Sequence, residues 1–184
     1  MNDKNLVKTS KYLSRHLRHD PERIGLVLDP AGWCAVSDLL DACARNGMPI
    51  TLAELDAVVA ENDKQRFAFS EDGTRIRASQ GHSIDVELGL PPITPPPVLY
   101  HGTGAGSVKP ILASGLRKMN RHHVHLSADV ETATRVGARH GKPVVLEVDA
   151  DAMHRAGHAF YRSENGVYLA DEIPPRFLAM AETV

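Results

Sequence analysis

The chain has 184 residues, 42% of them hydrophobic and 24% charged, with 21 Lys+Arg against 23 Asp+Glu for a formal net charge of −2. That balance is ordinary for a globular protein of one large or two small domains, and it argues against a nonspecific nucleic-acid coat protein. No run of about eighteen apolar residues suggests a membrane partner, the start Met1-Asn2-Asp3-Lys4-Asn5 lacks the apolar stretch of a secretory signal, and Cys34 and Cys43 read as reduced thiols of a cytoplasmic protein.

Leu6, Tyr12, Leu13 and Leu17 fall near helical spacing, and His19-Asp20-Pro21 closes that helix. Residues 8–23 carry Lys8, Lys11, Arg15, Arg18, Arg23, His16 and His19 against Asp20 and Glu22. This local basic patch on a mildly acidic chain suits a phosphate-bearing ligand met at one place. A second helix is expected from Ser37 as N-cap to about Asn46-Gly47, and Thr51-Leu52-Ala53-Glu54 announces a third through the capping-box pattern. Arg66–Ser70 and Thr74–Ala78 alternate around Asp72-Gly73, which predicts a hairpin. Three helices followed by a hairpin is the order of a winged-helix module, and nucleic-acid binding is a common use of it.

In the eight residues Leu90 to Pro97 five are proline, a stiff, donor-poor run expected to connect two lobes. Beyond it, Val98-Leu99-Tyr100 predicts a short strand and Ser107–Ser114 a helix ended by Gly115. In Arg121-His122-His123-Val124-His125-Leu126-Ser127 the period is two, so His123, His125 and Ser127 share one face and Val124 and Leu126 the other. A helix over Asp129–His140, a core strand over Pro143–Val148, and later strands over Tyr168–Ala170 and Phe177–Met180 complete the lobe. Short strands with interspersed helices predict an α+β class rather than a doubly wound parallel sheet.

The histidine strand looks built around a polar ligand, and a metal, a nucleotide or no ligand at all are the three readings. Zinc is disfavoured, because neither cysteine is near and no CxxC or HExxH spacing occurs. Gly102-Thr103-Gly104-Ala105-Gly106 lacks a P-loop lysine, no GxGxxG follows a strand, and no GxSxG elbow surrounds a serine. What remains is a set of arginines and histidines, Arg18, His19, Arg66 and Arg121, without matching catalytic carboxylates. Guanidinium groups grip phosphate oxygens in pairs and stay charged, and a histidine beside them can move a proton near neutrality. Each arginine by itself is an ordinary surface charge; as a set they resemble a phosphoryl site that stabilises charge without a metal.

Eight words in order carry a resemblance: Ser14-Arg15-His16-Leu17-Arg18-His19-Asp20-Pro21, Gly32-Trp33, Asp63-Lys64-Gln65-Arg66-Phe67, Gln80-Gly81-His82-Ser83, Leu99-Tyr100-His101-Gly102-Thr103, Arg121–Ser127, Val136-Gly137-Ala138-Arg139-His140-Gly141 and Glu164-Asn165-Gly166-Val167-Tyr168-Leu169. The chain resembles the RNA 2'-phosphotransferases (KptA family, tRNA 2'-phosphotransferase) over nearly its whole length. The resemblance implies a winged-helix RNA-binding lobe over residues 1–90, a proline-rich linker over 91–97, and an ADP-ribosyltransferase-like, NAD-binding lobe with a small mixed or antiparallel β core over 98–184. It implies catalytic roles for Arg18, His19, Arg66 and Arg121. It implies NAD contacts from His101, Gly102, Thr103, His125, Leu126, Ser127, Arg139 and His140. NAD is then a consumed co-substrate, no metal is needed, and the partner is an RNA bearing an internal 2'-phosphate, with no obligate protein partner expected. The implied reaction passes through an ADP-ribosylated 2'-phosphate and releases nicotinamide, 2'-OH RNA and ADP-ribose 1'',2''-cyclic phosphate.

Asn165 and Val167 stand where many protein-modifying ADP-ribosyltransferases place a glutamate, which fits a phosphate nucleophile that needs no deprotonation; the neighbouring Glu164 is not given that role. Two alternatives remain: an ADP-ribosyltransferase that caps terminal phosphates of RNA or DNA, and a noncatalytic nucleic-acid binder with a nucleotide-sensing lobe.

Overall fold

The computed structural model describes residues 3–61, 65–119 and 122–181. They divide into two compact units, residues 1–89 and 90–184.

In the first unit, α1 (Asp3–Arg18) buries Thr9, Leu13, His16 and Leu17 along one stripe, the three- and four-residue spacing of an amphipathic helix. A 3₁₀ turn at Glu22–Ile24 ends at Gly25 in the left-handed region, φ 70°. The short strand β1 (Cys34–Ala35) leads directly into α2 (Val36–Arg45). That helix starts one residue before the expected Ser37 cap, and its N-cap position is Ala35, which offers no side-chain hydrogen bond. The reason is tertiary: β1 pairs with β3, and Val36 N–H donates to Thr74 O at 2.9 Å.

α3 (Leu52–Ala60) begins at the capping box as expected: Glu54 N–H donates to Thr51 Oγ1 at 3.2 Å and Thr51 N–H donates to Glu54 Oε2 at 3.0 Å. The hairpin of β2 (Phe67–Phe69) and β3 (Arg75–Ala78) also forms as expected. Asp72 Oδ1 accepts from Ser70 Oγ, Thr74 N–H and Thr74 Oγ1 at 2.6, 3.1 and 2.9 Å, and Gly73 turns the chain at φ 68°. These bonds hold the Asp72 carboxyl at a pKa of about 2, below its ordinary 3.8. The sheet runs β1-β3-β2, and Leu13, Leu17, Leu39, Leu55 and Ile76 are fully buried in the core between it and the helices.

The second unit begins with the proline run, which packs into it: Ile93 N–H donates to Phe160 O at 2.8 Å and Pro97 O accepts from Asp151 N–H at 3.1 Å. β4 (Val98–Gly104) is longer than the predicted three residues and pairs along its whole length with β7 (Pro143–Asp149). A 3₁₀ turn precedes α4 (Val108–Ser114), and β5 (Leu116–Arg117) follows Gly115. The histidine strand is confined to β6 (Val124–Leu126), so His123 lies outside it and Ser127 meets Tyr100 in an isolated bridge. The alternation holds: Val124 and Leu126 are buried, His125 is half-buried.

α5 (Val130–Gly137) is capped by Asp129, whose Oδ1 accepts from Thr132 N–H at 2.7 Å, and passes into a 3₁₀ turn at Ala138–His140. After β7 comes α6 (Ala150–Arg155), which periodicity did not announce, then β8 (Tyr161–Arg162), β9 (Tyr168–Ala170), β10 (Glu172–Ile173) and β11 (Leu178–Met180). The sheets run β11-β7-β4, β6-β9-β8 and β10-β5. Every strand pair among the described residues is antiparallel. The expected α+β class is what the chain adopts, with antiparallel sheets rather than mixed ones.

Candidate active site

The first unit places three of the four expected catalytic residues along α1, from Ser10 to just past its C-terminal end. Arg18 ends the helix, His19 follows it, and Arg66 immediately precedes β2. Arg18 Nη2 donates to Arg66 O at 3.3 Å, and Arg66 Nη1 donates to Ser10 Oγ at 3.3 Å, one helical turn further back on α1 than Ser14. The same Arg66 O accepts from Ser79 N–H at 2.9 Å, which extends the β2–β3 ladder by one rung. Gln65, just before Arg66, sits at φ 39°, a region that side chains enter at a cost. His19 Nδ1 lies 2.8 Å from Ser83 Oγ, and Ser83 N–H donates to Arg18 O at 2.9 Å.

A helix C-terminus attracts cations through its exposed carbonyls, and Arg15, His16 and Arg18 occupy that last turn. His16 is buried and donates from Nδ1 to Asp20 O at 2.8 Å, while its ring packs edge-on to Tyr12 at 4.5 Å. It therefore serves the helix end. Ser10 and Ser83 were not among the expected site residues. Ser83 had a signal in the word Gln80-Gly81-His82-Ser83; Ser10 had none.

Arg121, the fourth expected catalytic residue, lies outside the described residues, as do Asp63 and Lys64.

In the second unit, β4 carries His101, Gly102 and Thr103, and β6 with Ser127 lies alongside it through the Tyr100–Ser127 bridge, with N···O distances of 2.9 and 2.8 Å. His101 Nδ1 donates to His125 O at 3.1 Å, so the imidazole and the β6 backbone are tied directly. Gly102 has a packing duty that the sequence did not reveal. A Cβ there would overlap the Ala133 carbonyl, and one on Gly104 would overlap the His140 carbonyl. The glycines let α5 and the turn after it lie directly on the strand, and Gly137 returns the contact, since a Cβ on it would come within 2.8 Å of Thr103 O. Thr103 is buried. Leu126 is buried in the apolar cluster with Leu99, Val148 and Phe160. Arg139 and His140 are exposed in the turn after α5.

A sequence model of the RNA 2'-phosphotransferase, Tpt1/KptA family matches residues 4–172. A probable RNA 2'-phosphotransferase of Trichormus variabilis is 62% identical over 174 residues, covering 95% of this chain and 96% of the relative. Another from Streptomyces coelicolor is 62% identical over 178 residues, 97% of both chains, and one from Streptomyces griseus is 60% identical over 187 residues, 98% of this chain and 99% of the relative. The chain belongs to the RNA 2'-phosphotransferase, Tpt1/KptA family. It is accordingly an enzyme, and the matched residues take in both polar clusters described above.

Other reactive side chains of this Tpt1/KptA enzyme are placed for packing. Burial pushes the Cys34 thiol up to about 12 and the Cys43 thiol up to about 11, so both stay protonated and unreactive near neutrality. His123 packs edge-on against Tyr161 at 5.5 Å, and burial lowers its pKa, with Asp171 opposing that shift. Among the described residues no group of three His, Cys, Asp or Glu side chains is placed to hold a metal ion, and no helix is long and apolar enough to cross a membrane.

Proposed function

We propose that this family member removes an internal 2'-phosphate from RNA and consumes NAD in doing so. The observation that carries this reading is the arrangement of Arg18, Arg66 and His19 along α1: Arg18 bonds the Arg66 carbonyl, Arg66 bonds Ser10 near the middle of the helix, and His19 bonds Ser83 just past its end. Such a group grips phosphate oxygens through paired, charge-assisted hydrogen bonds. It also stabilises the negative charge that builds on phosphorus as a P–O bond forms, while the imidazole exchanges a proton at neutral pH. Residues 1–90 would then act as a winged-helix RNA lobe, in keeping with three helices and a three-stranded antiparallel sheet whose β2–β3 hairpin follows the third helix. Residues 98–184 would act as an ADP-ribosyltransferase-like lobe joined to it by residues 91–97, and Arg121 would complete the catalytic set.

The donor set of the second unit fits a dinucleotide. His101, His125 and Ser127 sit on adjoining strands, and imidazole and hydroxyl groups suit a pyrophosphate, ribose hydroxyls and a carboxamide. His101 gives its Nδ1 proton to His125 O, which fixes the ring. Arg139 adds positive charge, and His140 an imidazole, near the Gly104 end of β4. NAD as co-substrate supplies an electrophilic ribose carbon with nicotinamide as leaving group. The first-unit residues would hold the 2'-phosphate and stabilise the charge on phosphorus as a new P–O bond forms and the RNA 2'-oxygen leaves.

Incubation with NAD and a 2'-phosphorylated oligonucleotide is expected to yield nicotinamide, 2'-OH RNA and ADP-ribose 1'',2''-cyclic phosphate. Arg18→Ala should slow the second step by about 10²- to 10³-fold and let ADP-ribosylated RNA accumulate. Failure to consume NAD on that substrate overturns the reading. ADP-ribose caps on terminal phosphates without cyclic phosphate would replace it by the capping activity.

A further inference from the structure

We propose that Ser83 is the positioning residue of His19, fixing the plane of its imidazole and presenting Nε2 to the RNA phosphate. This rests on the function proposed above. His19 is exposed and stands one residue beyond the helix, where an unsupported side chain samples several rotamers. Ser83 removes that freedom at two points. Its N–H donates to Arg18 O at 2.9 Å, a carbonyl in the last turn of α1, and its Oγ lies 2.8 Å from His19 Nδ1. The first bond sets Ser83 against the peptide that carries His19, so the hydroxyl meets the ring in one register only.

The loop that brings Ser83 there is itself anchored. Ser79 N–H donates to Arg66 O at 2.9 Å and Ser79 Oγ donates to Gln65 O at 2.9 Å. His82 is buried, its Nε2 3.3 Å from where a Cβ on Gly32 would stand, so it packs closely against that glycine. Residues 79–83 thereby tie Arg66 at one end and His19 at the other into a single frame.

A serine suits this position for a chemical reason. Its hydroxyl donates to Nδ1 when His19 is neutral with the proton on Nε2, and accepts from Nδ1–H when His19 is cationic. The ring keeps its orientation while a proton arrives at Nε2 or leaves it. A carboxylate in the same place would favour the imidazolium and hold the proton on the ring.

Steady-state rates on a 2'-phosphorylated oligonucleotide with NAD test this in variants of the full chain. His19→Ala tests the function itself: a wild-type rate there removes the reading on which the proposal rests. With His19→Ala impaired, Ser83→Ala is expected to lower kcat by about ten- to a hundredfold at nearly unchanged KM, and Ser83→Thr to restore it. The unfolding midpoint should stay at the wild-type value, since the N–H to Arg18 O is kept. Ser83→Asp should move the acidic-to-neutral limb of the pH–rate profile to higher pH by about one unit, which a packing role would not do. In the doubly substituted His19→Ala, Ser83→Ala chain no further loss is expected. A wild-type kcat for Ser83→Ala, an unmoved pH profile for Ser83→Asp, or an undiminished Ser83 effect without His19 each overturns the proposal.

Discussion

The two units hold their polar residues by opposite means. In the first, Arg18, Arg66 and His19 are positioned by side-chain hydrogen bonds to Arg66 O, Ser10 Oγ and Ser83 Oγ, on a scaffold whose core does not depend on them. In the second, His101 and Thr103 ride on a strand whose backbone is pressed against α5 through Gly102, Gly104 and Gly137. Polar substitutions in the first unit should therefore act on rate with little effect on folding, whereas the smallest change at the glycines of the second should act on folding itself. Close-packed backbone admits no partial adjustment, while a hydrogen-bonded surface side chain leaves water behind when it is removed.

Gly102→Ala is the sharpest way to break that contrast. Its methyl would overlap the Ala133 carbonyl, which is backbone and cannot swing aside, so α5 must lift from β4. A loss of about 3 kcal/mol or more is expected in chemical denaturation, with unfolding of residues 90–184 first. A wild-type midpoint would mean that the strand and helix are loosely apposed. In the first unit, Thr51→Ala removes the capping box of α3 and should cost about 1 kcal/mol without altering the rate per folded molecule. A fall in that rate would show that α3 reaches the catalytic group.

The smallest effect is expected at the hairpin turn. The Asp72 carboxyl titrates at about 2 in the folded chain against an ordinary 3.8. A depressed carboxylate contributes stability that is full above the ordinary value and is lost as the pH falls toward the folded one. Asp72→Asn should therefore flatten the stability–pH curve between about pH 4 and pH 2, read by thermal unfolding across that window. An unchanged slope would mean that Asp72 is not what ties the turn together.

Elements written in neighbouring residues are legible in the chain itself. Thr51 and Glu54 announce α3, Asp72-Gly73 turns the hairpin, and Asp129 caps α5, because donor and acceptor lie within three residues of each other. The alternation of Val124, His125 and Leu126 correctly assigns the buried and half-buried faces of β6. Where pairing is long-range the reading falls short. β1, β5, β8 and β10 are two-residue strands that carry no period of their own, and each exists only through its partner. β4 runs past Tyr100 through two glycines of poor strand propensity because β7 supplies hydrogen bonds along all seven residues.

The same division governs the candidate site. Arg18, His19, Arg66 and the His101-Gly102-Thr103 word could be named from the chain alone, since their side-chain chemistry and order are properties of the sequence. That Ser83, 64 positions from His19, holds its ring, that Ser10 holds Arg66, and that Gly102 serves α5 could not. A hydrogen bond or a van der Waals contact has no signature at such separations until the core of each unit has closed and brought the partners within reach.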